Sequence, residues 1–188
     1  MVGSKVVQLI PVLRKTARFV AACGVSCGLL AAMPAYAEAF DSKDVTILGE
    51  ALHFVVPPPK GEISVAVVYN PAVTGSEQEA QQISKAFSDT SQNIGVSMHA
   101  FAVSLDDLNH NAFVAVVSAN GAGTPILRNA LTSHHAVCVT GHLDQVENGS
   151  CQIYMTSQPT VDIRLNQDAT DAADVHFATA FRIMVRTL

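Results

Sequence analysis

The sequence predicts an α/β domain in which a mostly parallel sheet is flanked by helices and ends in an antiparallel hairpin with a closing helix. Short runs of β-branched and apolar residues alternate with segments that carry helix-start signals, which is the pattern of successive βα units. Near the carboxyl end, two runs of alternating polarity follow one another with a turn between them, as in a hairpin. These local patterns do not fix the strand order.

The first 37 residues are predicted to lie outside this domain. Four basic residues, the last of them Arg18, precede an apolar run over 19–34, and the small-residue site Ala35-Tyr36-Ala37 follows. The run has about 15 residues, whereas a membrane-spanning helix needs about 20. We therefore expect a signal peptide cleaved after Ala37, export to the periplasm, and one mature domain over residues 38–188. An uncleaved anchor would leave the same domain outside the membrane but tethered to it.

Removal of the leader changes the composition. The whole chain has 188 residues, 49% of them hydrophobic, and a net charge of -5. The leader contributes four positive charges and no acidic residue, so the mature part has 151 residues and a net charge of -9. Such an acidic domain lacks the surplus of cations that neutralises phosphates, so we expect no nucleic-acid binding. A nucleophile-elbow match at 24–28 and a lipoprotein-box match ending at Cys23 fall inside the leader, and we expect neither to act.

The first half of the mature chain is predicted to begin with a helix over residues 44–56, which the prolines at 57–59 end. Residues 63–69 are β-branched and predict a strand buried on both faces. A capping-box pattern from Thr74 to Glu77 predicts a helix that continues to about Ser91.

The strand and helix cycle then repeats. Residues 94–103 and 112–118 predict the second and third strands, with a cap-like helix start at 104–107 between them. Thr124 is a predicted cap, Pro125 occupies a first helical position, and the short helix runs to Leu131. Residues 136–140 predict the fourth strand.

The last part of the chain does not continue this alternation of strands and helices. Residues 151–156 and 160–165 predict the hairpin, with Val161, Ile163 and Leu165 on one buried face of its second strand. Asn166 is predicted to cap one closing helix. The helix would place aspartates in its first turns and arginines in its last turns, as its dipole favours, at Asp168, Asp171, Asp174, Arg182 and Arg186.

Two cysteines, Cys138 and Cys151, remain in the mature chain. Export to an oxidising compartment favours a disulfide between them. Its loop of about a dozen residues would contribute about 3 kcal/mol to stability. Two separate buried thiols remain the alternative, because spacing alone does not bring two α-carbons within bonding distance.

Candidate ligand or partner loops follow three predicted strands. Asn70 follows the first strand, Gly121 and Gly123 follow the third, and Gly141 and His142 follow the fourth. The carboxyl ends of parallel strands meet at one edge of a sheet, so these loops would line a crevice there. The Gly-x-Gly at 121–123 lacks the third glycine of a dinucleotide motif and the lysine of a phosphate loop, so a tight turn is favoured over a nucleotide site.

The sequence predicts no catalytic residues, no metal and no cofactor. No paired carboxylates, nucleophile with a base, or basic clamp lies among the candidate loops, so we do not expect an enzyme. His134 and His135 are adjacent, and if they enter the following strand their side chains would point to opposite faces, which disfavours a shared metal ion. His142 lies within the cysteine loop, where a pH-sensitive contact is conceivable.

Three stretches of the mature chain carry a resemblance to a known family. Residues 47–57 (Ile-Leu-Gly-Glu-Ala-Leu-His-Phe-Val-Val-Pro) are similar to an opening helix that in the family runs to Trp-Pro. Residues 136–140 with 148–153 are similar to the strand, loop and strand of its third quarter, and residues 161–166 with the alanines at 169, 172 and 173 to its closing segment. On these stretches the chain resembles the YfiR-like family. The family's tryptophan is absent, and one cysteine pair remains where a well-known member type has two.

The resemblance implies a non-enzymatic periplasmic repressor that binds the outer domain of an inner-membrane signalling protein. The expected partner is a diguanylate cyclase or sensor kinase, whose cyclic-di-GMP output the protein would adjust. Cys138 and Cys151 would match the family's later, structural cysteine pair. Family members are often dimeric, so a homodimer is one assembly that the resemblance allows. The alternative function is a small-ligand-binding module resembling one lobe of a periplasmic solute-binding protein.

Overall fold

A computed structural model describes residues 40–90 and 97–188 of the chain. The strands are β1 (Ile63–Tyr69), β2 (Met98–Ser104), β3 (Ala115–Ser118), β4 (Val137–Thr140), β5 (Ile153–Thr156), β6 (Asp162–Leu165) and β7 (Arg186–Thr187). The α-helices are α1 (Ser42–Leu52), α2 (Ser76–Asp89), α3 (Pro125–His134), α4 (Leu143–Glu147), α5 (Gln167–Ala172) and α6 (Thr179–Met184). The predicted leader and its cleavage site lie outside the described residues.

The seven strands form one sheet in the order β2-β1-β3-β4-β5-β6-β7. Strands β1 to β5 pair in parallel with their neighbours, and β6 pairs antiparallel with β5. The predicted fold class, a mostly parallel sheet flanked by helices with an antiparallel pair near the carboxyl end, is therefore confirmed. The direction of strand progression reverses at β1, which lies between β2 and β3.

Helices cover both faces of the sheet because its central strands are apolar on both sides. In β1, Val65 and Val67 belong to one buried cluster, whereas Ala66 and Val68 belong to another. The first cluster includes α1, α2 and the closing segment of the chain, and the second includes α3, α4 and both mature cysteines. The prediction that residues 63–69 form a strand buried on both faces is confirmed.

The first helix ends four residues before the predicted residue 56. After α1 the chain pairs with the closing segment: Val56 N donates to His176 O at 2.8 Å, and Ala178 N donates to Phe54 O at 2.8 Å. The rings of Phe54 and Phe181 lie 5.6 Å apart. This long-range pairing, and not the prolines alone, stops the helix.

The predicted capping box at the start of α2 is wrong. The helix begins at Ser76 after Gly75, whose φ of 87° places it in the left-handed region, and no side chain caps it. The Ser76 hydroxyl instead accepts a hydrogen bond from Asn70 N at 2.9 Å. The cap-like start at 104–107 leads only to a turn and a short 3-10 helix, and the predicted strand residues 94–96 lie outside the described residues.

The start of α3 confirms the prediction, because Thr124 caps the helix and Pro125 occupies its first position. The helix then runs past the predicted Leu131 to His134, and His135 follows in the left-handed conformation. The two histidines therefore do not enter the next strand, which begins at Val137. Helix α4, which lies between the two cysteines, was not predicted.

The prediction of a single closing helix is also wrong, although the predicted cap of that helix is present. Asn166 Oδ1 accepts a hydrogen bond from Ala169 N at 2.9 Å and begins α5. The chain then breaks at Asp174, whose φ is 54°, before α6 begins at Thr179. Arg186 lies in β7 rather than in a helix. No helix in the described part of the chain is long and apolar enough to cross a membrane.

Candidate functional site

The predicted loops lie together at the carboxyl edge of the sheet. Asn70 follows β1, and its side-chain amide donates to Gly121 O, after β3, at 2.9 Å. Asn70 Oδ1 also accepts a hydrogen bond from Ala72 N at 3.0 Å. The amide is thus used to join two loops, at the place where the strand order reverses and where open α/β sheets bind ligands.

Glu79 of α2 contacts the loop after β3 and the loop after β4. Its Oε2 accepts a hydrogen bond from Asn120 N at 3.0 Å, and its Oε1 lies 2.7 Å from His142 Nε2. The side chains of His142 and Glu79 are only 13% and 22% exposed. The sequence pattern did not single out Glu79. The sequence does contain a signal for Glu79. It is an acidic residue in the first turn of the helix after β1, and that turn lies at the same edge of the sheet.

The environment of His142 favours its charged form. Burial lowers the pKa of His142, but the hydrogen bond and the charge of Glu79, together with the charge of Asp144, outweigh burial and raise the pKa above its ordinary value. The predicted pH-sensitive contact therefore has a specific partner in the structure. We call the contacts of Glu79 with Asn120 and His142 the Glu79 clamp.

Gly121 and Gly123 allow close packing at this edge. Gly121 has a φ of 70°, and a Cβ built on it would lie 2.7 Å from Val73 Cγ2. A Cβ on Gly123 would lie 2.6 Å from Gln145 Cγ. The buried Gln145 amide accepts from Ser118 Oγ at 2.6 Å and donates to Ala119 O at 2.8 Å. The Gly-x-Gly segment is therefore a tightly packed turn.

Gly141 faces open space instead. A Cβ built there would meet no atom within 4 Å. It lines a cavity of about 250 Å³ at the carboxyl ends of β4 and β5, which we call the Asp44 cavity. The lining residues are Phe40, Asp44, Gly141, Tyr154, Met155, Thr156 and Gln158.

Asp44 is a buried carboxylate in the wall of this cavity, with 4% of its surface exposed. Its Oδ2 accepts a hydrogen bond from Asp41 N at 2.9 Å, as part of the capping box of α1. Burial raises the pKa of Asp44, an effect that the Asp41 N–H and the neighbouring Ser157 partly oppose. Ser157 lies beside the carboxylate, but neither its hydroxyl nor Asp44 Oδ1 completes a hydrogen bond of normal geometry.

The predicted disulfide between Cys138 and Cys151 is present, with the α-carbons 5.1 Å apart. Both cysteines are fully buried in the second cluster. Within residues 40–90 and 97–188, no three His, Cys, Asp or Glu side chains are arranged to hold a metal ion. His134 instead stacks on Phe113, with ring centroids 4.4 Å apart.

A second surface depression lies at the amino edge of the sheet, where Val114 precedes β3 and Val137 begins β4. It has a volume of about 290 Å³, and we call it the proline groove. Its lining residues are Leu52, Val55, Val56, Pro57, Pro58, Pro59, Val114, His135, Val137, Asp174, Val175 and His176. Asp174 lies between the two histidines, 3.8 Å from His135 Nδ1 and 3.3 Å from His176 Nε2. The groove thus combines an apolar floor with an exposed polar rim.

No protein-family model and no curated protein matches the chain. Solved structures similar to it include the ABC domain from Streptococcus pneumoniae in complex with L-Trp, at 10% identity and a TM-score of 0.52. That match covers 74% of this chain and 60% of the other. Another is a conserved domain protein from Vibrio cholerae, at 11% identity and a TM-score of 0.50, covering 78% of this chain and 59% of the other.

The chain therefore spans about three fifths of the length of these two structures. At such low identity the likeness shows the fold alone. It establishes that the arrangement of strands and helices seen here occurs in other α/β domains.

Proposed function

We propose that this chain is a non-enzymatic periplasmic regulator that binds the outer domain of an inner-membrane diguanylate cyclase or sensor kinase and so adjusts cyclic-di-GMP signalling. The proline groove carries this proposal. The stretch 47–57 supplies one wall, the stretch 136–140 contributes Val137, and the stretch that ends at Ala173 continues into the rim at 174–176. Two of the three stretches that resemble the YfiR-like family thus line one surface, and the third ends directly before its rim.

The groove also has the composition of a protein-binding surface. Protein interfaces join an apolar centre to a polar rim, and Val56 and Val114 expose large apolar side chains between the polar residues His135, Asp174 and His176. The net charge of -9 for residues 38–188 favours a partner with a basic surface, because opposite charges speed encounter.

The carboxyl edge of the sheet supports a binding function over a catalytic one. Asn70 and Gly121 bond to each other, and Glu79 is engaged by Asn120 and His142. These polar groups therefore hold loops in place. A general base, by contrast, needs a free path to a substrate proton.

Capture from membranes tests this proposal. The prediction that Val161 lies on a buried face is wrong, because it precedes β6 and is 52% exposed. Val56 is also 52% exposed, but only Val56 lines the groove, so Val161→Asp is a matched control for Val56→Asp. We expect the full-length protein, tagged at its carboxyl end, to co-purify a diguanylate cyclase or sensor kinase from solubilised membranes. Val161→Asp should retain that partner and Val56→Asp should lose it. Capture of neither class by the unmodified protein, or equal capture by both variants, contradicts the proposal.

A small-ligand-binding module is the second candidate function. It is supported by the fold that this chain shares with the ABC domain bound to L-Trp, and by the Asp44 cavity at the carboxyl edge of the sheet. A single lobe lacks the closing partner that usually buries a ligand, so this candidate ranks second. If L-Trp raises the unfolding temperature and no signalling protein co-purifies, the second candidate replaces the first.

A further inference from the structure

We infer that the edge strand β2 is a self-association surface, on which β2 of a second copy of this chain pairs antiparallel about a two-fold axis at Phe101. The inference goes beyond the proposed function. It uses neither the proline groove nor a membrane partner. Its success or failure is therefore independent of partner capture.

The two edges of the sheet differ in their protection against pairing. Strand β7 has two residues and begins with Arg186, and a short strand and a charged residue are both devices that keep an edge from pairing. Strand β2 at the other edge has seven residues, and residues 97–105 contain no acidic residue, lysine, arginine or proline. An edge strand of this length without such protection is open to pairing with another strand.

The hydrogen bonds between β1 and β2 show which backbone groups of β2 are already used. Ile63 N donates to Ser97 O at 2.8 Å, directly before β2. Leu105 N donates to Tyr69 O at 2.9 Å, directly after β2. The backbone groups of successive residues in a strand point to opposite sides, so the odd-numbered residues of β2 also face β1.

The even-numbered residues of β2 therefore face away from the sheet. Within residues 40–90 and 97–188, the backbone groups of Met98, Ala100 and Ala102 have no hydrogen-bond partner on that side. Antiparallel pairing about Phe101 places Ala100 opposite Ala102 of the second copy. Those two residues would exchange both of their N–H···O bonds. This register thus uses the groups that a single copy leaves unpaired.

The side chains on both faces fit the same register. Ala100 and Ala102 are small, so their side chains leave room for the second strand. On the other face, Phe101 is half-buried against the second cluster. At the axis it would meet Phe101 of the second copy, in a position where the α-carbons of antiparallel strands lie about 4.5 Å apart. Aromatic pairs in such positions stabilise sheets.

The charge distribution favours this edge over other surfaces. Residues 38–188 have a net charge of -9, so two copies repel each other wherever acidic residues meet. Strand β2 carries no acidic residue. Asp106 and Asp107 follow it, but antiparallel pairing places the aspartates of the two copies at opposite ends of the joint.

Sedimentation equilibrium of the protein, purified after expression of the full-length chain, tests this inference. We expect a monomer–dimer equilibrium with a Kd of about 100 μM or tighter. Ala102→Pro should stay monomeric, because proline removes the outward N–H, and an edge strand tolerates proline where the N–H faces solvent. Ala102→Ser is the matched control and should dimerise like the unmodified protein. A monomer at every concentration, including one that binds a strand of another protein here, overturns the inference, as does a folded Ala102→Pro that dimerises like Ala102→Ser.

One introduced cysteine tests the register without the proline variant. Cys138 and Cys151 are already joined to each other. Phe101→Cys would place two thiols opposite each other across the axis, within the α-carbon distance of a disulfide. His99→Cys lies on the same face, but the two copies of residue 99 would be offset by about 13 Å along the strands.

We expect mild oxidation to give a covalent dimer of Phe101→Cys. It should give none of His99→Cys and none of the unmodified protein. Equal cross-linking of the two variants, or no cross-linking of Phe101→Cys, overturns the inference even if Ala102→Pro fails to fold.

Discussion

The Glu79 clamp makes a specific prediction about stability. Glu79→Gln keeps an oxygen that can accept the Asn120 N–H, but it removes the negative charge beside His142. A hydrogen bond to a charged group contributes about 1.5–3 kcal/mol to the free energy of unfolding. Because the two side chains are 13% and 22% exposed, some screening applies, and we expect a loss of about 2 kcal/mol.

This loss should depend on pH in one direction. The pKa of His142 is raised in the folded protein. The ion pair between protonated His142 and Glu79 therefore stabilises the fold fully at pH values below the pKa of His142 in the unfolded chain, which is about 6.5. That stabilisation is lost as the pH rises through the raised pKa of the folded state. The effect of Glu79→Gln should therefore be larger at about pH 6 than at higher pH, and should shrink as the pH rises through the raised pKa of His142.

Urea unfolding at several pH values measures both the loss of unfolding free energy and its dependence on pH. Glu77→Gln is the matched control, because Glu77 lies in the same helical turn and makes only an exposed contact with Gln81 at 3.3 Å. We expect this control to change stability by less than about 0.5 kcal/mol. If Glu79→Gln costs no more than Glu77→Gln, or if its cost grows as the pH rises, the clamp does not act as described.

Four further variants test other contacts of the fold, each by urea unfolding. Replacing both Cys138 and Cys151 with alanine should cost about 3 kcal/mol, and unchanged stability together with two free thiols in the native protein would contradict the disulfide. Gly123→Ala should cost about 2 kcal/mol because its Cβ displaces the hydrogen-bonded Gln145, whereas Gly141→Ala should change stability by less than about 0.5 kcal/mol. Equal losses of stability in Gly123→Ala and Gly141→Ala would contradict the difference in packing between the two glycines. Asn166→Ala should cost about 1.5 kcal/mol, because the side chain caps α5 and also donates to Val146 O at 2.7 Å, and a cost near zero would show that neither bond matters.

Features that depend on neighbouring residues were predictable from the sequence. The β-branched run of β1 and the alternating run of β6 form strands, and Pro125 begins α3, because each signal acts within a few residues. The disulfide was predicted from the expected compartment and the number of cysteines rather than from geometry.

Features that depend on tertiary contacts were not predictable. The start of α2 is set by the bond between Ser76 and Asn70, and the end of α1 by pairing with the segment around His176. The candidate loops were placed correctly at one edge of the sheet. The role of Glu79 and the cavity beside Asp44 were missed, because both arise from elements that are distant in sequence.

The cellular level of cyclic-di-GMP tests the proposed regulatory function most directly. We expect loss of the gene to raise that level, because the proposed regulator represses its partner. Restoring the unmodified protein or Val161→Asp should lower the level again, and restoring Val56→Asp should not. A level that is the same with and without the gene, or that Val56→Asp restores fully, would contradict the proposed function.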